Sequence, residues 1–175
     1  MTISMEKNIK YCPHCGGRLE KRYLEGKERY YCPSCDKVIY QNPVPVVLAV
    51  AYNNKGEILL VKRGVEPEKG KWSLVAGFLE MDESPEKGVL RELREEAGLA
   101  GKLEKLLNVY SQDSKRYGSI IAIAYIVKVD GTPMPGDDAE DARFFKTEDI
   151  PYLPFESHRK ALMDGLKEIM KNRTP

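Results

Sequence analysis

The chain has 175 residues, and its 28 Lys and Arg residues nearly balance its 27 Asp and Glu residues, for a net charge of +1. The length predicts one principal domain with room for a small appendage, and the near-neutral charge argues against a protein built mainly to grip nucleic acid. No apolar run approaches the roughly 18–20 residues of a transmembrane helix, and the N-terminal residues lack the apolar segment of a secretory signal. We therefore expect a cytoplasmic protein with no membrane partner.

The first element along the chain is a cysteine-rich segment at residues 11–40, which follows a predicted flexible N-terminus at residues 1–10. It contains two Cys-x-x-Cys pairs, Cys12-Pro-His-Cys15 and Cys32-Pro-Ser-Cys35. Their separation falls in the range of about 15–20 residues that is typical of zinc sites. Four thiolates leave no open coordination position, so the predicted Zn²⁺ is structural and His14 is not expected to be a ligand. The alternatives are two disulfides, which a cytosolic setting disfavours, and a redox pair.

The residues between the two cysteine pairs predict a hairpin, with Glu25-Gly26-Lys27 as its turn. This segment is too small and too polar to fold by hydrophobic burial, so the metal must supply its stability, as in a zinc ribbon. Its basic residues could contact nucleic acid, but glutamates are interleaved among them. A solvated hairpin is the favoured interpretation, and nucleic acid is not an expected partner.

Residues 41–175 predict the main domain. Apolar runs flanked by turn residues predict strands at Val44–Tyr52 and at 57–63, 72–77, 103–112, 119–130 and 139–146. Ser84 is a candidate N-cap, Pro85 suits the first helical position and Gly98 suits the position after the end, so a helix is predicted over Pro85–Ala97. Helical spacing of apolar and small residues predicts a second helix over Glu156–Lys171. This order of elements predicts an α+β domain with a mixed sheet.

Three carboxylates crowd one face of the first predicted helix. Glu92, Glu95 and Glu96 fall within an arc of about 100° on a helix of 3.6 residues per turn. Such a cluster is often a solvated face, although like charges at this spacing repel one another. The alternative is a site for a hard cation, because carboxylate oxygens suit Mg²⁺ or Mn²⁺ and these ions bridge substrate phosphates.

Gly77, Glu83 and the run RELREEAGL at 91–99 together resemble the Nudix box. The resemblance covers about residues 43–170 and implies a Nudix-type α/β/α sandwich. It also implies hydrolysis of the diphosphate bond in a nucleoside diphosphate linked to another moiety. The zinc ribbon ahead of the box is similar to that of a branch that includes ADP-ribose, FAD and NADH diphosphatases, so AMP is the expected product.

The resemblance assigns roles to residues of the box. The implied ligands of a catalytic Mg²⁺ or Mn²⁺ are Glu92, Glu95, Glu96 and the main-chain carbonyl of Ala76. Glu83 and Arg91 would form a structural ion pair that pins the loop to the helix. The absence of a Cβ at Gly77 would let the loop approach the metal closely.

Catalysis requires a proton acceptor as well as the metal. Bound metal would neutralise the diphosphate and lower the pKa of an attacking water. The acceptor would be a glutamate, either one of the three on the helix or Glu140, the best match to a later acidic residue that the family often uses. Asp138 and Asp141 are rivals to Glu140.

Three residues are candidates for contacts to the substrate. Arg63 is a candidate phosphate ligand or a surface ion-pair partner, while Trp72 and Tyr117 are candidates either for stacking on a base or for core packing. The segment 111–119 keeps the first two residues and the final serine of the array SQPWPFPxS found in NADH diphosphatases, and lacks its Pro-aromatic centre. We therefore expect ADP-ribose or FAD as substrate first, NADH next and nucleoside triphosphates last.

Two other functions remain open at this point. One is a nucleotide-pool-cleaning nucleoside triphosphate pyrophosphohydrolase, which would release pyrophosphate. The other is a non-catalytic Nudix-like binding or regulatory module, which the complete set of box glutamates disfavours. A homodimer is a possible assembly, in which the second copy could provide contacts to a substrate with two large halves.

Overall fold

A computed structural model describes residues 9–171, which divide into two compact units. Within the described residues, the first comprises residues 9–43 with Asp113–Ser119, and the second comprises Val44–Gln112 with residues 120–171. The predicted flexible N-terminus at residues 1–10 falls outside the described residues, apart from its last two. None of the helices in the described part of the chain combines the length and the apolar character that a membrane-spanning helix requires.

The first unit is built on a small antiparallel sheet of β1 (Glu20–Leu24), β2 (Lys27–Cys32) and β3 (Lys37–Ile39). The predicted hairpin is confirmed, with Leu24 opposite Lys27. Glu25 and Gly26 both have positive φ, as a tight hairpin turn of this hand requires. The buried apolar cluster of this unit is small and includes two of the cysteines, Cys12 and Cys32.

The second unit contains a mixed seven-stranded sheet in the order β10-β5-β4-β9-β8, with β6 added to β5 and β7 to β4. The strands are β4 (Val44–Tyr52), β5 (Ile58–Arg63), β6 (Trp72–Ser73), β7 (Val75–Phe78), β8 (Gly101–Ser114), β9 (Gly118–Val129) and β10 (Ala139–Phe145). β4 runs parallel to β9 and antiparallel to β7. The single strand predicted at 72–77 is two strands, because the segment changes partner from β5 to β4 at the buried Leu74.

Two helices cover the two faces of this sheet, α1 (Pro85–Ala97) and α2 (Glu156–Lys171). Alternate residues of β4 point to opposite sides: Val47 and Ala49 belong to the core under α1, whereas Leu48 and Val50 belong to the core under α2. A strand buried on both faces reads as a continuous apolar run, as Val44–Tyr52 does. The predicted α/β/α sandwich with a mixed sheet is confirmed.

The ends of α1 match the sequence prediction. The Ser84 side chain accepts a hydrogen bond from the backbone N–H of Lys87, and Gly98 adopts the left-handed conformation with φ 65°. Beyond the helix, the backbone N–H groups of Met134 and Gly136 donate to the last carbonyls of α1. These bonds fix the loop that precedes β10 against the C-terminal end of α1.

Candidate active site and metal centre

Two glutamates of α1 are buried where the helix packs against β7. Glu92 and Glu96 are each 8% exposed. The carboxylate of Glu96 accepts a hydrogen bond from the backbone N–H of Ala76 at 3.2 Å. A Cβ added to Gly77 would lie 2.0 Å from the carboxyl carbon of Glu92, so only glycine leaves room for that carboxylate. The absence of a Cβ at Gly77 therefore lets the side chain of Glu92 approach the loop closely.

Arg91 ties the loop after β7 to the helix. Its guanidinium donates two hydrogen bonds to the carboxylate of Glu83, at 3.1 and 2.7 Å, and one to the carbonyl oxygen of Phe78 at 3.0 Å. It also donates to Glu92 at 2.6 Å and to Glu95 at 2.7 Å. The hydrogen bonds from Arg91 lower the pKa of Glu83 to about 2. This network joins Glu83, Glu92 and Glu95 through Arg91.

An open cleft of about 660 Å³ lies over these residues. Its lining residues are Arg63, Ala76, Gly77, Phe78, Glu80, Arg91, Glu92, Glu95, Glu96, Asp137 and Asp138. The two aspartates come from the loop that is hydrogen-bonded to the end of α1, and Asp137 has a positive φ of 48°. The loop thus adds two carboxylates to those of the helix.

The cleft concentrates negative charge. Six of its lining side chains are carboxylates and two are guanidinium groups, an excess of four negative charges when all are ionised. Burial raises the pKa of Glu96 to about 8, and the nearby charge of Glu92 adds to this effect. Burial also raises the pKa of Glu92, although Arg91 opposes the shift. Without a counter-ion, the protein disfavours the ionised form of these two carboxylates.

These residues fit a divalent cation. Carboxylate oxygens and a main-chain carbonyl are the ligands that Mg²⁺ and Mn²⁺ take, and the cleft is open enough for such ions to keep water ligands. A bound cation would reverse the penalty on the ionised forms of Glu92 and Glu96. Glu95, whose side chain is 43% exposed, lies at the solvent side of the same cluster.

Arg63, at the end of β5, is the second cation of the cleft. Its Nε donates to the carbonyl oxygen of Pro67 at 2.7 Å, and its guanidinium lies 5.3 Å from the ring centroid of Phe155. Within residues 9–171, its two terminal Nη groups donate no hydrogen bond and form no ion pair. Arg63 is therefore anchored by one nitrogen, and its two terminal nitrogens, with four N–H groups, remain for an anion.

Some predicted site residues lie elsewhere. Glu140 is absent from the cleft lining; its carboxylate lies 4.0 Å from Lys62 and 3.9 Å from Lys69. The pairing of β10 with β5 shifts register between Ala139 and Asp141. Such a bulge changes the direction of the side chain at that point, which is the physical reason why Glu140 does not line the cleft. Its rival Asp141 pairs with Arg143 at 2.6 Å.

The two predicted stacking residues are not among the lining residues of the cleft either. Trp72 is partly buried and packs edge-on against Phe145, with ring centroids 4.8 Å apart. Tyr117 belongs to the first unit, where the guanidinium of Arg116 lies 5.3 Å from its ring centroid. Sequence reasoning missed Glu80, Asp137 and the exposed ring of Phe78, which line the cleft. The sequence signal that could have indicated Phe78 is its position next to Gly77 of the box.

The four cysteines of the first unit converge on one point. Their sulfur atoms all lie within 4.8 Å of one another, with Cys12 and Cys35 at 3.7 Å and Cys15 and Cys32 at 3.5 Å. Tetrahedral Zn²⁺ with Zn–S bonds of about 2.3 Å separates its sulfurs by about 3.8 Å, so the spacing fits zinc. The backbone N–H groups of His14 and Gly17 point to Cys12 and Cys15 at 3.4 Å, as in a metal-binding knuckle.

Comparison with known proteins gives matches over both units. The NUDIX domain model matches residues 42–166, and the model described as Nudix N-terminal, a zinc ribbon, matches residues 10–41. An ADP-ribose pyrophosphatase of Methanocaldococcus jannaschii is 38% identical over 131 residues, which cover 74% of this chain and 76% of that protein.

Two further relatives extend the match to nearly the whole chain. The NAD-capped RNA hydrolase NudC of Deinococcus radiodurans is 30% identical over 172 residues, or 94% of this chain; the match spans only 59% of that longer protein. The crystal structure of a NUDIX hydrolase from Nitrosomonas europaea superposes with a TM-score of 0.81 at 31% identity, and the match covers 95% of each chain.

Proposed function

The chain belongs to the Nudix hydrolase family, and from that membership we propose that it hydrolyses the diphosphate bond of an adenosine diphosphate conjugate. ADP-ribose or FAD is the first choice of substrate, and AMP is one product. The observation that carries the proposal is the cleft in which Glu92 and Glu96 are buried opposite the unused donors of Arg63. We also propose the domain division of a zinc ribbon at residues 11–40 and a catalytic domain at 41–175.

The proposed metal ligands are Glu92, Glu95, Glu96 and the carbonyl oxygen of Ala76, with Mg²⁺ or Mn²⁺ as the ion. Bound there, the ion would neutralise the diphosphate and lower the pKa of an attacking water. Arg91 orients two of these glutamates, and Gly77 leaves the space that the carboxylate of Glu92 occupies. The network would hold the ligands in place before the substrate arrives.

Arg63 would bind the diphosphate through its two terminal nitrogens. A guanidinium presents parallel N–H groups that match two phosphate oxygens, and Pro67 already fixes its orientation. The exposed ring of Phe78 offers a flat apolar surface in the same cleft for one of the two groups that the diphosphate joins.

The proton of the attacking water would pass to a carboxylate of the cleft. The helix glutamates are the proposed metal ligands, so the loop residues Asp137 and Asp138 are better placed to accept it than Glu140, which faces two lysines. Replacing either aspartate by asparagine should lower kcat by about 10²–10⁴-fold if that residue accepts the proton.

The substrate choice is supported by the relative named ADP-ribose pyrophosphatase. The relatives named NAD-capped RNA hydrolases make NADH, which also contains an adenosine diphosphate linkage, the next choice. In the first unit, Lys21 pairs with Glu28 and Arg29 pairs with Glu25, which supports a solvated surface over a nucleic-acid interface. We propose a cytoplasmic location and a homodimer, whose mass size-exclusion chromatography with light scattering would measure.

The test is a comparison of kcat/KM for ADP-ribose, FAD, NADH and dGTP with Mg²⁺ or Mn²⁺, because this ratio measures discrimination in the transition state. The proposal expects the highest values for ADP-ribose or FAD. A clear preference for dGTP, with pyrophosphate as product, would instead assign the protein as a triphosphate pyrophosphohydrolase. No hydrolysis of any of the four would favour the non-catalytic module.

A further inference from the structure

A buried histidine at the start of α2 has an unpaired nitrogen. His158 is 7% exposed, and its Nδ1 has no hydrogen-bond partner among residues 9–171. Burying a polar atom without a partner is unfavourable, so such atoms are rare in native proteins and call for an explanation. The function proposed above does not use His158.

His158 is linked to the cleft through an aromatic ring. The rings of Phe155 and His158 have centroids 5.0 Å apart, and the guanidinium of Arg63 lies 5.3 Å from the centroid of Phe155. A phenylalanine at position 158 could make the same ring contact without an unpaired nitrogen. Packing alone therefore does not account for the imidazole.

The histidine is neutral and can accept a hydrogen bond. Burial lowers its pKa to about 3, and the charges of Arg63 and Arg159 contribute to the shift. A neutral imidazole keeps one nitrogen as an acceptor. Of the two arginines, Arg159 already uses one terminal nitrogen, Nη1, to donate to the carbonyl oxygens of Leu153 and Pro154. Arg63 has two terminal nitrogens without acceptors in the described part of the chain.

The segment that carries His158 is fixed from two sides. The backbone N–H and the hydroxyl of Ser157 both donate to the side-chain oxygen of Gln112, at 3.0 and 2.8 Å. The bonds from Arg159 hold the residues just before α2. A side chain on such a support can orient its neighbour, because its own position is already determined.

We propose that His158 is a positioning residue for Arg63. Its Nδ1 accepts a hydrogen bond from a terminal nitrogen of Arg63, directly or through one water molecule, when a diphosphate occupies the cleft. The inference rests on the proposed function, since the diphosphate is the ligand that Arg63 is held to bind. The inference gives His158, a buried residue that does not line the cleft, a role in substrate affinity.

The experiment compares His158→Leu with His158→Asn. The two replacements have nearly the same shape and lose the ring contact equally, but only asparagine offers a polar acceptor. With ADP-ribose and Mg²⁺, His158→Leu should raise KM about tenfold relative to His158→Asn, a coupling of ordinary size for directly interacting residues. The kcat values of the two variants should agree within about twofold, since no group at the reacting atoms changes. Met163→Leu, an exposed change on the same helix, is the control for general effects on α2.

A double-mutant cycle decides whether the effect passes through Arg63. In an Arg63→Ala background, the two His158 variants should have the same KM. The inference is wrong if they have equal KM values with Arg63 present, or if they still differ tenfold without it. If both smaller side chains lower the melting temperature, His158→Phe replaces them, because it keeps the ring and lacks the nitrogen. Its KM is then compared with that of the wild type.

A second measurement separates this inference from the proposed function. The dissociation constant of inorganic pyrophosphate, measured by calorimetry, reports on Arg63 without any turnover. If the wild type hydrolyses none of the nucleotides, the proposed function fails. A dissociation constant for pyrophosphate that is about tenfold higher in His158→Leu than in His158→Asn would still support the role of His158. Equal pyrophosphate affinities would overturn it.

Discussion

Replacement of Glu96 by glutamine should stabilise the protein at alkaline pH when no Mg²⁺ or Mn²⁺ is bound in the cleft. Glu96 is 8% exposed, and burial raises its pKa to about 8 from an ordinary value of 4.5. In the unfolded chain the carboxyl loses its proton near pH 4.5, whereas in the folded protein it keeps the proton until about pH 8. The contribution of Glu96 to stability is therefore most favourable at low pH and falls as the pH rises through this window, because the folded state binds more protons there than the unfolded state.

The magnitude follows from the two pKa values. At 1.36 kcal/mol per pH unit, the loss between pH 5 and pH 8 is roughly 3–4 kcal/mol, or about 10 °C in melting temperature. Glutamine keeps an acceptor for the N–H of Ala76 and carries no charge, so Glu96→Gln should lack this loss. The assay is thermal unfolding followed by circular dichroism at several pH values in buffer without added Mg²⁺ or Mn²⁺, and without a chelator that would strip the zinc of the ribbon. Glu95→Gln, at a side chain that is 43% exposed, is the matched control and should not gain stability in this way.

Addition of Mg²⁺ or Mn²⁺ should raise the melting temperature of the wild type at pH 8, because a ligand that binds only the folded state stabilises it. The same ions should have much less effect on Glu96→Gln. Equal melting temperatures of wild type and Glu96→Gln at pH 8 without added Mg²⁺ or Mn²⁺ would refute the claim that a buried, uncompensated carboxylate destabilises the cleft.

Three further predictions concern other parts of the structure. Gly77→Ala should fold but lose about 10²-fold in kcat/KM, because its Cβ would displace the carboxylate of Glu92; a normal rate would contradict the packing argument, and circular dichroism checks the fold. Arg63→Ala should raise KM for ADP-ribose by about 10–100-fold in steady-state kinetics, whereas the exposed Arg143→Ala should not; equal effects would remove Arg63 from the diphosphate site. Metal analysis should find one Zn²⁺ per chain, and Cys12→Ser should lose it and unfold the ribbon; a zinc-free, folded ribbon would argue against a structural zinc site.

The sequence predicted the helices of the second unit and most of its strands. The bounds of α1 follow from local signals, namely the cap at Ser84, the proline at the first helical position and the left-handed Gly98. The continuous apolar run at Val44–Tyr52 predicted a strand buried on both faces, and it is the strand shared by both cores. Such features depend on residues close together in the chain.

Features that depend on distant residues were harder to predict. Asp137 and Asp138 line the cleft because hydrogen bonds fix the loop before β10 to the end of α1. Glu140 does not line it, because β10 has a shift of register at that residue. No local pattern indicates either contact. The environment of His158 combines residues from β5 and from the segment before α2, so the sequence showed only a histidine in an amphipathic helix.

The measurement that tests the central claim most directly is identification of the products formed from ADP-ribose by the wild type and by Glu96→Gln, with and without Mg²⁺. We expect AMP and ribose 5-phosphate from the wild type with the metal. We expect almost none without it, and almost none from the variant, because a neutral amide is a poor ligand for a hard cation. Equal product formation by Glu96→Gln, or turnover that is undiminished without Mg²⁺, would contradict the assignment of this cleft as a metal-dependent diphosphatase site.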